Sequence, residues 1–218
     1  MKKLRPQLVE EFKLRQIGLQ FVAGVDEAGR GAWAGPVVAA AVILPLERMD
    51  LSYRLQEIHD SKMMSPSQRT RGAEQIKQIA IAVGIGEVGS GEVDRSGILT
   101  ATRKAMAQAV SALCIKPQHL LIDYVQLSDV MISQSAFTKG DVNILSIAAA
   151  SVIAKVTRDS IMVRYDELHP GYGFLHHKGY GTKEHRTALR NLGPSIIHRQ
   201  SFAPIRTTSL IMPFAASG

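Results

Sequence analysis

Short apolar runs alternate with amphipathic segments along most of this chain. Length and composition predict buried β-strands in the apolar runs, at 21–26, 36–44, 79–88 and 119–123. Apolar residues at helical spacing predict helices over 7–17, 66–78, 92–113, 142–169 and 183–191. Strands that alternate with helices predict an α/β layer fold. The first two strands are joined by a turn at 29–35, which predicts a hairpin and therefore a mixed β-sheet flanked by helices.

Several of these helices carry boundary signals. Ser65 precedes Pro66 as an N-cap before a proline at the first helical position, and Thr182 is placed to cap the last helix. From residue 207 onward no periodicity is visible, so that part is expected to be frayed or to form a short extra element. We therefore expect one domain over 1–206 and a C-terminal tail over 207–218.

Composition narrows the class of protein. The chain has 218 residues, 45% of them hydrophobic, which is enough for a full core. Its formal net charge of +7 and pI of about 9.7 favour a protein that binds a polyanionic partner over a basic protein without one. The single Cys114 excludes an internal disulfide framework. With no signal peptide and no apolar run of about 18 residues, we expect a cytoplasmic, monomeric protein with no membrane association.

Four carboxylates stand at the ends of predicted elements. Asp26 and Asp123 end apolar strands, Glu27 follows Asp26, and Asp141 is expected to open the long helix. Acids that converge at strand ends would bind Mg²⁺ or Mn²⁺, and two such ions could activate a water and stabilise a leaving 3′-oxygen. Each acid has an alternative: Asp141 as a helix N-cap, Asp123 as the first residue of a loop, and Glu27 as a solvated neighbour pointing away from Asp26.

Other polar groups surround these acids in the sequence. Gly29-Arg30-Gly31 offers backbone N–H groups and one guanidinium to a phosphate or a sugar. Lys62 and Lys178 are candidate phosphate contacts or ordinary surface lysines. Tyr180 could pack on a sugar or be a half-buried loop aromatic. A group of three histidines could bind zinc: His176, His177 and His185. An oxygen-rich metal site fits the chemistry better.

Eight segments in a fixed order resemble bacterial ribonuclease HII, the type 2 ribonuclease H, over roughly residues 21–206. They are 24–31 (GVDEAGRG), 34–41 (AGPVVAAA), 60–62 (DSK), 121–123 (LID), 139–141 (KGD), 148–159 (AAASVIAKVTRD), 177–185 (HKGYGTKEH) and 198–202 (HRQSF). Any one of them could occur by chance, whereas their joint presence in this order is highly specific.

The resemblance implies a ribonuclease H-like fold and cleavage of RNA in RNA–DNA hybrids. It also implies incision on the 5′ side of a single ribonucleotide in duplex DNA, leaving a 3′-hydroxyl and a 5′-phosphate, as part of ribonucleotide removal. In such enzymes the acids matching Asp26, Glu27, Asp123 and Asp141 hold divalent metal. The residues matching Gly29, Arg30 and Gly31 contact the ribonucleotide 2′-hydroxyl, and the tyrosine matching Tyr180 stacks on a sugar at the RNA–DNA junction.

The chain departs from the family pattern after the third acid, where Tyr124 replaces the usual glycine and a Cβ narrows the backbone options. The related ribonuclease HIII carries an extra N-terminal domain, whereas about 20 residues precede the first predicted strand here. A non-catalytic nucleic-acid-binding protein is the alternative from another class. The four acids oppose it, because a cleft for phosphate alone would not concentrate negative charge.

Overall fold

The computed structural model describes residues 5–211, with side chains through residue 207. Five strands form one sheet in this part of the chain: β1 (Val22–Ala28), β2 (Val37–Ile43), β3 (Ala82–Val88), β4 (His119–Asp123) and β5 (Ser133–Phe137). The α-helices of the described residues are α1 (Val9–Gln16), α2 (Leu51–Arg54), α3 (Pro66–Ile79), α4 (Ser90–Ser96), α5 (Ile98–Ser111), α6 (Gly140–Asn143), α7 (Leu145–Leu168), α8 (Phe174–His177), α9 (Lys183–Leu192) and α10 (Ala203–Ile211).

The sheet is mixed and has the order β3-β2-β1-β4-β5. β1 and β2 form the predicted hairpin and pair antiparallel, as do β2 and β3, whereas β4 runs parallel to β1 and β5 parallel to β4. One face of the sheet packs on α7, which α3 contacts in turn, and the other packs on α5, so each face has its own buried apolar cluster. The fold is the predicted α/β layer structure.

A third apolar cluster lies beyond the sheet. It is formed by residues of α7, the 172–174 segment, α9 and the 197–205 segment, with Phe174 fully buried at its centre. Ala34, from the loop between β1 and β2, also belongs to it. The C-terminal third of the chain is therefore packed directly against the loop that follows the first two acids.

Two predicted helices are interrupted. The segment 92–113 divides at Gly97, whose φ of 80° breaks the helix between α4 and α5. The segment 142–169 begins only at Leu145, because Ile144 is extended and forms a β-bridge with Gln7. The sequence predicted that Asp141 begins the long helix, and this prediction is wrong. Asp141 lies inside the separate short helix α6. Its alternative role as the N-cap of the long helix is likewise wrong.

The remaining differences concern β5 and the C-terminus. No apolar pattern predicted the strand at Ser133–Phe137, which is polar and lies at an edge of the sheet. α10 extends from Ala203 to Ile211 and crosses residue 207, where no pattern was visible; residues 212–218 of the predicted tail lie outside the described part. Among the described residues, no helix is long and apolar enough to span a membrane.

Candidate active site

The first three acids flank a gap between two parallel strands. β1 and β4 pair from Val22 opposite His119 to Val25 opposite Ile122. Beyond Val25, β1 stays paired only with β2. Asp26 and Glu27 on β1 and Asp123 on β4 therefore stand where the two strands cease to pair, and sites in sheets with parallel strands form at such carboxyl ends.

The two adjacent acids lie on opposite faces of the sheet, as expected for an extended strand. Asp26 shares the α7 face with Val22 and Ala28 and is 4% exposed, and the Ser151 side chain of α7 interacts with its carboxyl group. Glu27 shares the other face with Val25. There it forms an ion pair with Arg30, with 3.2 Å between Arg30 Nη1 and Glu27 Oε1.

Asp123 and Asp141 are joined through the backbone of α6. The N–H of Gly140 donates to Asp123 Oδ1 at 2.7 Å, which holds Asp141, the next residue, beside the end of β4. Asp141 is buried, and its Oδ2 is 3.7 Å from Lys62 Nζ. Three acids thus share the α7 side of the gap, and Glu27 approaches it from the other side.

Burial and mutual repulsion raise the pKa of these acids. Burial raises the pKa of Asp26 well above its usual range, and the charges of Glu27 and Asp123 raise it further. Burial also raises the pKa of Asp123 and of Asp141, and in Asp141 the charge of Asp123 adds to the effect. Concentrated negative charge of this kind is stabilised by a cation, and carboxylate oxygens are the ligands that Mg²⁺ and Mn²⁺ prefer.

The donor set fits a divalent cation, although the side chains do not form a complete cage. In residues 5–211 no three His, Cys, Asp or Glu side chains are grouped closely enough to hold one ion. Some oxygens are held by backbone donors instead, such as Asp26 Oδ1, which accepts from the N–H of Glu27 at 2.7 Å. Glu27 Oε2, however, is buried and has no hydrogen-bond partner among the described residues. The assignment of the four acids as metal ligands stays a prediction.

The Gly-Arg-Gly loop directly follows β1. Gly29 has a φ of 96°, and a Cβ there would lie 2.1 Å from Arg158 Nε, so only glycine fits. A Cβ on Gly31 would meet nothing within 4 Å. The guanidinium carbon of Arg30 lies 5.1 Å from the centre of the Tyr124 ring. Tyr124 keeps a left-handed φ of 67°, the region glycine favours, so the departure from the family pattern alters the side chain rather than the backbone region.

Tyr180 is half-buried near this loop. Its ring centre is 5.4 Å from Lys155 Nζ and 5.2 Å from the guanidinium carbon of Arg158. Lys178, two residues earlier, has a left-handed φ of 51°, and its ammonium donates to the carbonyl of Leu175. The structure thus places both Tyr180 and Lys178 on the α7 side of the molecule, while Lys62 lies beside Asp141.

Known proteins match this chain in sequence and in fold. The family model described as Ribonuclease HII matches residues 23–205. The chain belongs to the ribonuclease HII family. It is 49% identical over 205 residues to the Ribonuclease HII of Synechococcus sp. (strain JA-3-3Ab), covering 94% of this chain and 91% of that protein. The family prediction is confirmed, and with it the prediction that the chain is an endoribonuclease.

Solved structures confirm the fold of this ribonuclease HII family member. The ribonuclease H2 from Pyrococcus horikoshii OT3 matches with a TM-score of 0.74 and 24% identity, covering 88% of this chain and 98% of that one. Bst-RNase HIII in complex with Mn²⁺ matches with a TM-score of 0.64 and 20% identity, covering 90% and 71%. The predicted ribonuclease H-like architecture is therefore confirmed.

Two buried arginines that the sequence analysis did not single out fix the geometry of the site. Arg158 of α7 donates to the carbonyls of Pro36, Ala34 and Lys178 at 2.9 to 3.0 Å. It thereby ties the loop after β1 to the segment that carries Tyr180. Arg158 is fully buried, and among the described residues it forms no ion pair.

Arg199 supports the same loop from the opposite direction. Its Nη1 donates to the carbonyl of Arg30 at 2.9 Å, and its Nε and Nη2 donate to the carbonyl of Gly35 at 3.1 and 2.9 Å. Burial, together with the charge of Arg158, lowers the pKa of Arg199 to about 9. Both arginines lie inside family motifs, 148–159 and 198–202, and this was the only sequence signal that could have identified them.

A row of buried histidines supports Tyr180. The N–H of Ser195 donates to His198 Nδ1 at 2.8 Å, so a neutral His198 carries its proton on Nε2. That nitrogen is 3.0 Å from His185 Nε2, which must accept, and His185 Nδ1 then donates to the carbonyl of Tyr180 at 3.0 Å. Burial lowers the pKa of His185 to about 4 and that of His198 to about 3, so both are neutral near pH 7.

The histidine group considered as a zinc candidate is divided by the fold. His177 and His185 stack with ring centres 4.4 Å apart, whereas His176 is exposed. His177 Nε2 donates to the carbonyl of Tyr172 at 2.8 Å, and its Nδ1 accepts from the N–H of Gly179 at 3.2 Å. The ring nitrogens of both buried members are engaged by protein groups.

Proposed function

We propose that this chain cleaves the RNA strand of RNA–DNA hybrids and incises on the 5′ side of a single ribonucleotide in duplex DNA. The products would carry a 3′-hydroxyl and a 5′-phosphate. The proposal is supported above all by the joining of the acid cluster to the Gly-Arg-Gly loop. Glu27 and Arg30 form an ion pair, and Asp26 lies three residues before Gly29. A ribonucleotide whose phosphodiester bond lies near the acids would therefore have its 2′-hydroxyl near Gly29 and Gly31.

The residues that would hold two Mg²⁺ or Mn²⁺ ions are Asp26, Glu27, Asp123 and Asp141. When bound, such ions supply an activated water and charge stabilisation at the leaving 3′-oxygen. The unpartnered Glu27 Oε2 and the raised pKa of Asp26 support this assignment. The Mn²⁺ of Bst-RNase HIII is the corresponding observation in a protein of similar fold.

The remaining residues act on the substrate directly. The open space above Gly31 lets the backbone approach a sugar, and the 2′-hydroxyl distinguishes RNA from DNA. Tyr180 would pack against the deoxyribose at the RNA–DNA junction, held at its carbonyl by His185. Lys62 and Lys178 would contact phosphates, which increases affinity without distinguishing sequences.

The test uses a labelled duplex with one ribonucleotide, incubated with Mg²⁺ or Mn²⁺, and maps the cut. Incision on the 5′ side supports the proposal, and an uncut duplex that is still bound points to a non-catalytic binding protein. Asp26→Asn should lower turnover by about 10²–10⁴-fold, the effect of several kcal/mol of lost transition-state stabilisation, while duplex binding persists. The exposed Asp129→Asn is the matched control and should retain full activity.

The role of Tyr180 is tested by comparing two substrates. Tyr180→Ala should reduce cleavage at a single embedded ribonucleotide more than cleavage of a long hybrid, because only the former requires the ring at a junction. Tyr180→Phe keeps the ring and should retain the preference. Equal losses on both substrates in Tyr180→Ala would remove the junction role.

A further inference from the structure

A groove of about 570 Å³ opens beside Tyr180. It lies between α3, α7 and α8, and its charged lining residues include Arg69, Lys155, Asp159 and Lys178. Tyr180 forms part of its wall, and the Lys155 ammonium lies 5.4 Å from the centre of that ring. The groove is therefore continuous with the residue that the proposed function places at the junction.

Three cations in this groove face a single carboxylate. Lys155 Nζ lies 2.7 Å from Asp159 Oδ1, and Arg69 Nη2 lies 3.8 Å from Asp159 Oδ2. Lys178 forms no ion pair among the described residues and donates only to a backbone carbonyl. The four groups together carry a formal charge of +2, since three cations are opposed by one anion.

The cations also repel one another. Burial lowers the pKa of Lys178, and the charges of Lys155 and Arg69 lower it further, against an opposing effect of Asp159. Arg69 cannot turn away, because its Nη1 is held by the carbonyls of Ser61 at 3.0 Å and Met64 at 2.6 Å. A second anion placed between these groups would relieve the repulsion, and phosphate is the anion that ammonium and guanidinium groups bind in nucleic acids.

Helix α7 connects the groove to the acid cluster. Ser151, Lys155 and Asp159 are four residues apart and lie on one face of the helix. The Ser151 side chain interacts with the carboxyl group of Asp26. From Ser151 to Asp159 the helix rises about 12 Å at about 1.5 Å per residue. A duplex strand advances about 3.4 Å per nucleotide along its axis, so this distance corresponds to at most about four nucleotides.

We propose that the groove formed by Arg69, Lys155 and Lys178 is a binding site for a backbone phosphate of the strand that carries the ribonucleotide. The phosphate belongs to the deoxyribonucleotide side of the junction and lies within about four nucleotides of the cut bond. This inference rests on the proposed action on nucleic acid, because the strand reaches the groove by passing Tyr180.

Salt dependence of binding tests the site. Binding of the full chain to the one-ribonucleotide duplex is measured by fluorescence anisotropy in EDTA at 50 to 200 mM salt. One phosphate contact contributes about 0.9 to the slope of log affinity against log salt. Lys155→Met and Lys178→Met should therefore each lower this slope by up to about 0.9, so that a fourfold rise in salt weakens their binding by up to about 3.5-fold less than it weakens that of the wild type. Lys104→Met is the control, because Lys104 is also ion-paired, at 3.1 Å to Glu92, but lies on α5 across the sheet. Slopes equal to wild type in both groove variants would overturn the proposal.

A scan with single methylphosphonates identifies the phosphate. Each linkage within four nucleotides of the ribonucleotide is neutralised in turn, and the wild type should lose affinity at one or two of them. At such a linkage Lys155→Met should show no further loss. Full tolerance across the window, or sensitivity only on the opposite strand, would overturn the assignment. Failure of the wild type to cut the unmodified duplex with Mg²⁺ or Mn²⁺ would instead refute the proposed function and leave these binding results interpretable.

Discussion

Adding one methyl group at Gly31 separates the two roles that a glycine in this loop can have. Gly29 is required by the fold, since its φ is 96° and a Cβ would lie 2.1 Å from Arg158 Nε and 2.8 Å from the carbonyl oxygen of Pro36. Gly31 has neither constraint: its φ lies outside the left-handed region, and a Cβ would meet nothing within 4 Å. If Gly31 is needed, the reason lies in the substrate.

Gly31→Ala is therefore expected to preserve or increase the stability of the fold while it lowers the activity. Gly31→Ala should leave the free energy of unfolding unchanged or raise it by up to about 1 kcal/mol, because alanine restricts the unfolded chain. Cleavage at a single ribonucleotide should fall by about 100-fold in kcat/KM, since a methyl group would displace a closely approaching sugar by about 1 Å. Urea denaturation measures the first quantity, and cleavage of the labelled duplex measures the second.

Two controls make this test decisive. Gly91→Ala also adds a Cβ in open space, within α4, and should leave both activity and fold intact. Gly29→Ala should lower stability and activity together, because the added Cβ meets Arg158 and Pro36. A Gly31→Ala enzyme whose kcat/KM stays within threefold of the wild type would refute close approach of the sugar to this loop.

Three further predictions concern the groups around the loop. Arg199→Met should destabilise the fold by about 3 kcal/mol in urea denaturation, because the buried carbonyl of Gly35 and the partly buried carbonyl of Arg30 lose their donor; a loss below about 1 kcal/mol would contradict this. Glu27→Asp shortens a side chain by about 1.5 Å and should lower kcat about 100-fold, whereas near-normal turnover would show that its length is unimportant. His185 and His198 favour the neutral form in the folded state, so they contribute stability above about pH 6.5 that is lost as pH falls towards about 4 and 3. Comparing the unfolding free energy with that of a variant lacking both histidines isolates this effect from carboxylates of raised pKa, and identical pH profiles would contradict it.

Local patterns predicted the elements that have a continuous apolar run or a clear boundary signal. β2 is buried at every position and stands out as a continuous apolar run, and α3 begins where Ser65 accepts from the N–H of Gln68. β5 was not predicted, because its residues alternate irregularly between exposed and partly buried positions. The break before α7 was not predicted, because the side chain of Ile144 fits a helix. Only its pairing with the distant Gln7 shows that Ile144 is extended.

The site shows the same division between local and distant information. Acids at strand ends are visible as polar residues after apolar runs, and the structure places Asp26 and Asp123 at the end of the β1–β4 pairing. Arg158 and Arg199, by contrast, have no local pattern that separates them from surface arginines. Their partners are backbone carbonyls more than 120 residues away in most cases, and a carbonyl leaves no trace in the sequence.

The pairing of the strands also determines where a cation could contact both adjacent acids. Asp26 and Glu27 lie on opposite faces of β1, so no position above either face is close to both carboxylates. The β4 side of β1 is open beyond Val25, while the β2 side stays paired through Ala28. Only the gap between β1 and β4 can therefore be reached from both faces. Asp123 lines that gap, and the Gly-Arg-Gly loop follows directly from β1. A bond held in the gap would meet the carboxylates on one side and the loop on the other, and the proposed cleavage and recognition of the 2′-hydroxyl would then occur at a single position.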